Sequence, residues 1–178
     1  FDRDEIPPEV IRNTMLYCLD CYSKEGIPGK RGTSRAAMMF LSNWLNEFGN
    51  LGMMTVSSEY LSGSEVYIGP GSRINQALSH GGVVRLFLDE PHYVLLTGVK
   101  DGSILLFDPY YWDEPYEEKD ILIDLEHPRA YNREVPFRYF NREEDVLYAL
   151  GKVNAREAVL VYNEKTRVPV EEVIEYFI

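Results

Sequence analysis

Val83-Val84-Arg85-Leu86-Phe87-Leu88, His92-Tyr93-Val94-Leu95-Leu96-Thr97-Gly98-Val99 and Ser103-Ile104-Leu105-Leu106-Phe107 form the most strand-like stretch of this 178-residue sequence. β-Branched and aromatic residues crowd each run, and Asp89-Glu90-Pro91 and Lys100-Asp101-Gly102 part them as turns. Three short runs joined this tightly predict an antiparallel meander. Lys100-Asp101-Gly102 fits a three-residue hairpin loop with Gly102 in the left-handed position of a bulge.

Toward the N-terminus the pattern turns helical. Pro7-Pro8 suits a helix start, and Ile11, Met15, Cys18, Leu19 and Tyr22 recur at helical spacing, which predicts a first helix over about 8–24. Ile27–Gly32 is a loop rich in helix breakers. Thr33 or Ser34 can cap a second helix, whose Ala37, Phe40, Leu41, Trp44, Leu45 and Phe48 form a wide apolar stripe ending at Gly49. Signals from Asn50 to Gly71 are weak and read as a turn, a short helix near Ser57–Leu61 and a loop. Ser72–Ser79 predicts a short helix stopped by Gly81-Gly82, with His80 at its end. Beyond the meander, Arg142–Leu150 reads as a helix, Ala158–Tyr162 as a strand and Val170–Phe177 as a final helix. Helices first and an antiparallel sheet second define the α+β class, in a single domain over 1–178.

Charge narrows the function. Eighteen Lys and Arg against 29 Asp and Glu leave a net charge of −11, which opposes the phosphate attraction on which nucleic-acid binding rests. Most of it follows the meander: residues 101–178 hold 18 acidic and nine basic side chains. No apolar run is long enough to span a bilayer, and Phe1-Asp2-Arg3-Asp4-Glu5 lacks the features of a signal peptide, so a soluble chain without membrane insertion is expected. Because the chain opens on Phe1, the expected compartment is either the cytoplasm or, with a leader missing, the exterior. Two cysteines are too few for a disulfide scaffold. Cys18 and Cys21 sit past the start of the first helix, where Cys-x-x-Cys is not activated, and Cys18 belongs to the apolar stripe. His80, His92 and His127 have no ligand-like spacing, so neither a metal nor another cofactor is expected.

The chemistry concentrates at His92 and Asp108. In the hairpin register above, Asp108 stands opposite Val94 and diagonal to His92, about 7–8 Å away between backbones. A carboxylate there can accept the Nδ1 proton of His92 and leave Nε2 as a general base. The plainer alternative is a His at a strand start and an Asp-Pro turn.

The string from Gly82 to Leu88, with His92-Tyr93-Val94-Leu95-Leu96-Thr97-Gly98-Val99 and Gly102 to Pro109, resembles the second half of the C39-like cysteine peptidases over about residues 72–112. The resemblance implies a papain-like fold in which one strand carries the catalytic His and the next ends in Asp-Pro. It also implies a Cys at the N-terminus of a buried helix, and a Gln shortly before it for the oxyanion hole. The corresponding Gly32-Thr33-Ser34-Arg35-Ala36-Ala37-Met38-Met39 has no Cys, and no Gln precedes it. Matching the Ala pair puts Thr33 at the nucleophile position, matching the Met puts Gly32 there, and a Cys-x-Ala spacing selects Ser34, the preferred match.

Two functions follow from the resemblance, with a nucleophile elsewhere in the chain as a third explanation of the missing Cys. One is a hydrolase or acyl transferase acting on peptide or amide bonds, with Ser34 as a substituted nucleophile (natural or an introduced Cys→Ser change), His92 as base and Asp108 as orienter. The other is a catalytically inactive domain that binds a peptide or partner protein in the same cleft, Ser34 or Thr33 being only a helix cap. A transglutaminase-like domain also has a His strand and an Asp strand after a Cys helix, but Gly98 and Asp108-Pro109 favour the C39 comparison. Tyr110 and Trp112, interleaved with carboxylates, can wall a cleft and select a basic ligand, or lie on a solvated loop. Arg31 and Arg35 flank the nucleophile position and either bind an anionic group or face water.

Overall fold

A computed structural model describes residues 8–17, 33–52, 55–89, 92–126 and 130–163. The chain is α+β, and its described strands form one antiparallel sheet. Three helices, α1 (Pro8–Tyr17), α2 (Arg35–Asn50) and α3 (Arg73–Ser79), accompany β1 (Val56–Ser62), β2 (Val83–Leu88), β3 (His92–Lys100), β4 (Ser103–Phe107), β5 (Leu122–Ile123), β6 (Arg133–Pro136) and β7 (Glu157–Asn163). The order across the sheet is β1-β7-β2-β3-β4-β6-β5.

Alternation along the strands decides which face each side chain joins. One face carries Leu86, Val94, Leu96, Leu106 and Leu160, all fully buried beneath Ile74, Ala77 and Leu78 of α3 and the aromatic pair Phe140 and Tyr148. The other face carries Tyr60, Tyr93 and Val159, and there α2 lays down Met38, Leu41 and Leu45. The sheet thus separates two apolar layers.

Ser34 caps α2 by accepting the Ala37 N–H at 3.1 Å, as the Ser/Thr signal predicts. Ser72 does the same for α3. The stripe of α2 is narrower than the sequence suggests: Phe40 is exposed, and Met38 and Ser42 are buried in its place.

Two predicted helices are corrected. Residues 57–61 belong to strand β1, pairing with β7 from Val56↔Asn163 to Ser62↔Glu157. The Ser58 hydroxyl meets the buried Ser42 hydroxyl at 2.9 Å and the Leu160 carbonyl at 3.1 Å, and Asn46 of α2 bonds both the N–H and the carbonyl of Ser58. The open edge of β1 is thereby partnered by a helix side chain. Residues 142–150 are irregular. Tyr148 has φ +60°, which no helix interior accommodates, and Leu150 donates its N–H to Phe140 at 2.8 Å. Cys18, Cys21, Arg31, Gly32, His127, the second half of the predicted first helix and the predicted helix 170–177 lie outside the described residues.

The β3–β4 hairpin keeps the expected register by a different route. Lys100 pairs with Ser103, so the loop has two residues, Asp101 (φ +47°) and Gly102 (φ +83°), the left-handed pair of a type I′ turn. A bulge between Leu96 and Gly98 then shifts the ladder by one, and Leu95 faces Phe107. The shift restores Asp108 to its place opposite Val94.

Candidate functional site

His92 begins β3 opposite Leu88 and shares the α3-side face with Val94. Asp108 follows β4 directly. Asn132 clamps that strand end, accepting the Asp108 N–H at 2.8 Å and donating to its carbonyl at 2.7 Å. The Asp108 carboxylate is buried and receives three contacts: His92 Nε2 at 2.7 Å and the Tyr110 N–H at 2.9 Å on Oδ1, and the Tyr148 hydroxyl at 3.2 Å on Oδ2. The sequence brings His92 and Asp108 together as expected, but through Nε2. The nitrogen that the carboxylate does not engage is Nδ1, the reverse of the expected arrangement. A cavity of about 30 Å³ adjoins the pair, between Leu88, Val146, Leu147 and Tyr148. It has room for water and not for a substrate side chain. Among its described lining residues is no Ser, Thr or Cys.

Ser34 is elsewhere. Its hydroxyl caps α2, and α2 covers the face that carries Tyr93, opposite the face of His92. Thr33 lies half-buried beside it. Arg35 ties the helix start to the sheet, its Nε 2.9 Å from Glu157 Oε2 and its Nη2 donating to the Ala155 carbonyl at 2.7 Å. Glu157, buried at the start of β7, also accepts the Tyr60 hydroxyl at 2.7 Å and the Tyr93 hydroxyl. Burial, then the Glu157 hydrogen bond, raises the phenol pKa of both tyrosines far above the ordinary range.

Arg133 carries the third network. It is 1% exposed. Its Nε donates to the Tyr116 hydroxyl at 3.0 Å, Nη1 to the Asn132 carbonyl at 2.8 Å, and Nη2 to the carbonyls of Tyr110 and Trp112 at 3.3 and 3.1 Å. Tyr116 in turn meets the Tyr148 hydroxyl at 3.3 Å, so a chain of hydrogen bonds joins Arg133 to Asp108. No local pattern in the sequence marks Arg133, Tyr148 or Glu157, whose partners lie mostly far along the chain.

Burial, then hydrogen bonding with Tyr116 and the Asp108 charge, pushes the Tyr148 phenol far above its usual range. A neutral phenol is therefore favoured in the folded chain, whereas the unfolded chain ionises it near pH 10. The contribution is intact below pH 10 and is lost as pH rises above it. Unfolding free energy measured between pH 8 and 11 should fall above pH 10, with Tyr148 contributing up to about 1.4 kcal/mol per pH unit. Tyr148→Phe should flatten that slope; an unchanged slope would contradict the buried hydroxyl.

Comparison with protein-family models, curated proteins and solved structures finds no match to this chain. No described helix is long and apolar enough to cross a membrane.

Proposed function

We propose that this chain is a catalytically inactive, C39-peptidase-like domain of papain-like fold that binds a peptide or partner protein beside the His92–Asp108 pair. The observation that carries this reading is the placement of Ser34: its hydroxyl accepts a helix N–H, and the sheet lies between it and His92. A nucleophile must come within hydrogen-bond reach of its base, and among the described residues lining the cavity beside His92 there is none. The His92 side chain remains 31% exposed, so a ligand reaches its edge at the rim of the cavity.

Ser34→Gly tests the reading with little cost to the fold, since Gly is a tolerated cap and the change costs only a few tenths of a kcal/mol. Peptide binding measured by fluorescence anisotropy should be unchanged in Ser34→Gly. Digests of casein by the wild-type chain, followed by mass spectrometry, should show no cleavage above that of His92→Ala. Cleavage that Ser34→Gly and His92→Ala both abolish would instead support the hydrolase or acyl transferase. That second reading draws on the 2.7 Å contact between His92 and Asp108, an arrangement suited to holding an imidazole for proton transfer.

A further inference from the structure

The segment after Asp108 presents three aromatic side chains to solvent, Tyr110 at 68%, Tyr111 at 76% and Trp112 at 40% exposure. Exposed aromatics in sequence are costly to leave in water. Here they are also held in place. Arg133, buried below, donates from one nitrogen to the carbonyls of both Tyr110 and Trp112, and the Trp112 ring stacks on Tyr116 with centroids 6.5 Å apart and planes 20° from parallel. Tyr110 is tied again through its N–H to Asp108. Backbone fixed this way presents the rings without the ordering cost that a loose loop incurs on binding.

The charge around the rings selects the occupant. Between Asp108 and Asp120 the chain has six acidic residues and a single basic one, Lys119. Asp108 is buried against His92 and Asp120 pairs with Arg138, which leaves Asp113, Glu114, Glu117 and the half-buried Glu118 facing water beside the rings. An apolar partner would have to strip water from these carboxylates, and a nucleic acid or a second copy of this chain, itself at −11, would be repelled. A Lys or Arg side chain has neither difficulty. Its cation is attracted to the face of an indole or phenol ring and to the carboxylates beside it.

We infer that Tyr110–Tyr116 is a preorganised docking surface for a cationic peptide segment, whose Lys or Arg side chains stack on Tyr110 and Trp112 while Arg133 holds the loop from beneath. This names the partner chemistry of the binding reading and rests on it.

The test uses fluorescein-labelled decapeptides in which Gly alternates with Lys and Arg, with Glu, or with Ser, titrated with the whole chain and followed by anisotropy. The basic peptide should bind at least about tenfold more tightly than the Ser peptide, and raising the salt from 50 to 300 mM should weaken it. Tyr110→Ala and Trp112→Ala, both at exposed side chains, should each weaken it by about three- to tenfold. Equal binding of the Ser or Glu peptide would overturn the cationic preference and leave the binding reading standing. Basic-peptide binding that neither aromatic variant alters would place the contact elsewhere and overturn the inference. Failure of all three peptides would sink the inference and the peptide-binding reading together.

Discussion

Arg133→Ala is expected to lower the unfolding free energy by about 3–5 kcal/mol, the largest single effect foreseen in this chain. The guanidinium fills a site with almost no access to water and serves the Tyr116 hydroxyl and three carbonyls. Alanine leaves those acceptors without their donor in a space that the neighbours only partly refill. Removing a buried cation also removes its desolvation cost, which keeps the loss from being larger. Arg133→Lys keeps the charge but replaces a planar fork by a point donor that cannot serve all four acceptors, so about half of the loss should remain. Urea unfolding measures both. The freed Tyr110–Trp112 loop should be cut faster by chymotrypsin under native conditions; a loss under about 1 kcal/mol with no change in cleavage would deny Arg133 its organising role.

Glu157→Ala should cost about 2–4 kcal/mol, because one buried carboxylate accepts two phenol hydroxyls and pairs with Arg35. The upper end is tempered by Arg35, which is half-exposed and can turn to water. Glu157→Gln retains the volume and one acceptor, and the tyrosine hydroxyls can reverse to accept from its amide, so a smaller loss is expected. The effect should be confined to one face. Glu157 anchors the start of α2 to the Tyr93 side of the sheet, whereas His92 and Asp108 lie on the other. Imidazole NMR signals of His92 should therefore persist in Glu157→Gln while its urea midpoint falls, and loss of both together would mean that the two networks are coupled.

Local chemistry made part of this molecule legible in advance. The runs of β2, β3 and β4, the short helix ending at Ser79 and the Ser34 cap depend on neighbours within a few residues, and they stand where the sequence placed them. Asp108 stands opposite Val94 although the loop is one residue shorter than its sequence suggests, because the bulge after Leu96 compensates. Ser57–Leu61 misled because serines and a glutamate hide a strand whose partner, β7, lies about 100 residues away. Residues 142–150 misled because Val146, Leu147 and Leu150 have helical spacing, yet Tyr148 is turned to φ +60° with its hydroxyl on Asp108.

The sequence by itself determined the α+β class and the meander, which follow from helical spacing and strand alternation, and put His92 and Asp108 on one sheet face; the bulge after Leu96 set their final register. Only the tertiary structure decided that Ser34 and His92 lie on opposite sides of the sheet, that Glu157 anchors α2 on one of them, and that Arg133 organises the Tyr110–Trp112 segment. Which face a helix covers depends on where its apolar side chains find partners distant in sequence, and a buried charge is tolerated only where the whole fold supplies its hydrogen bonds.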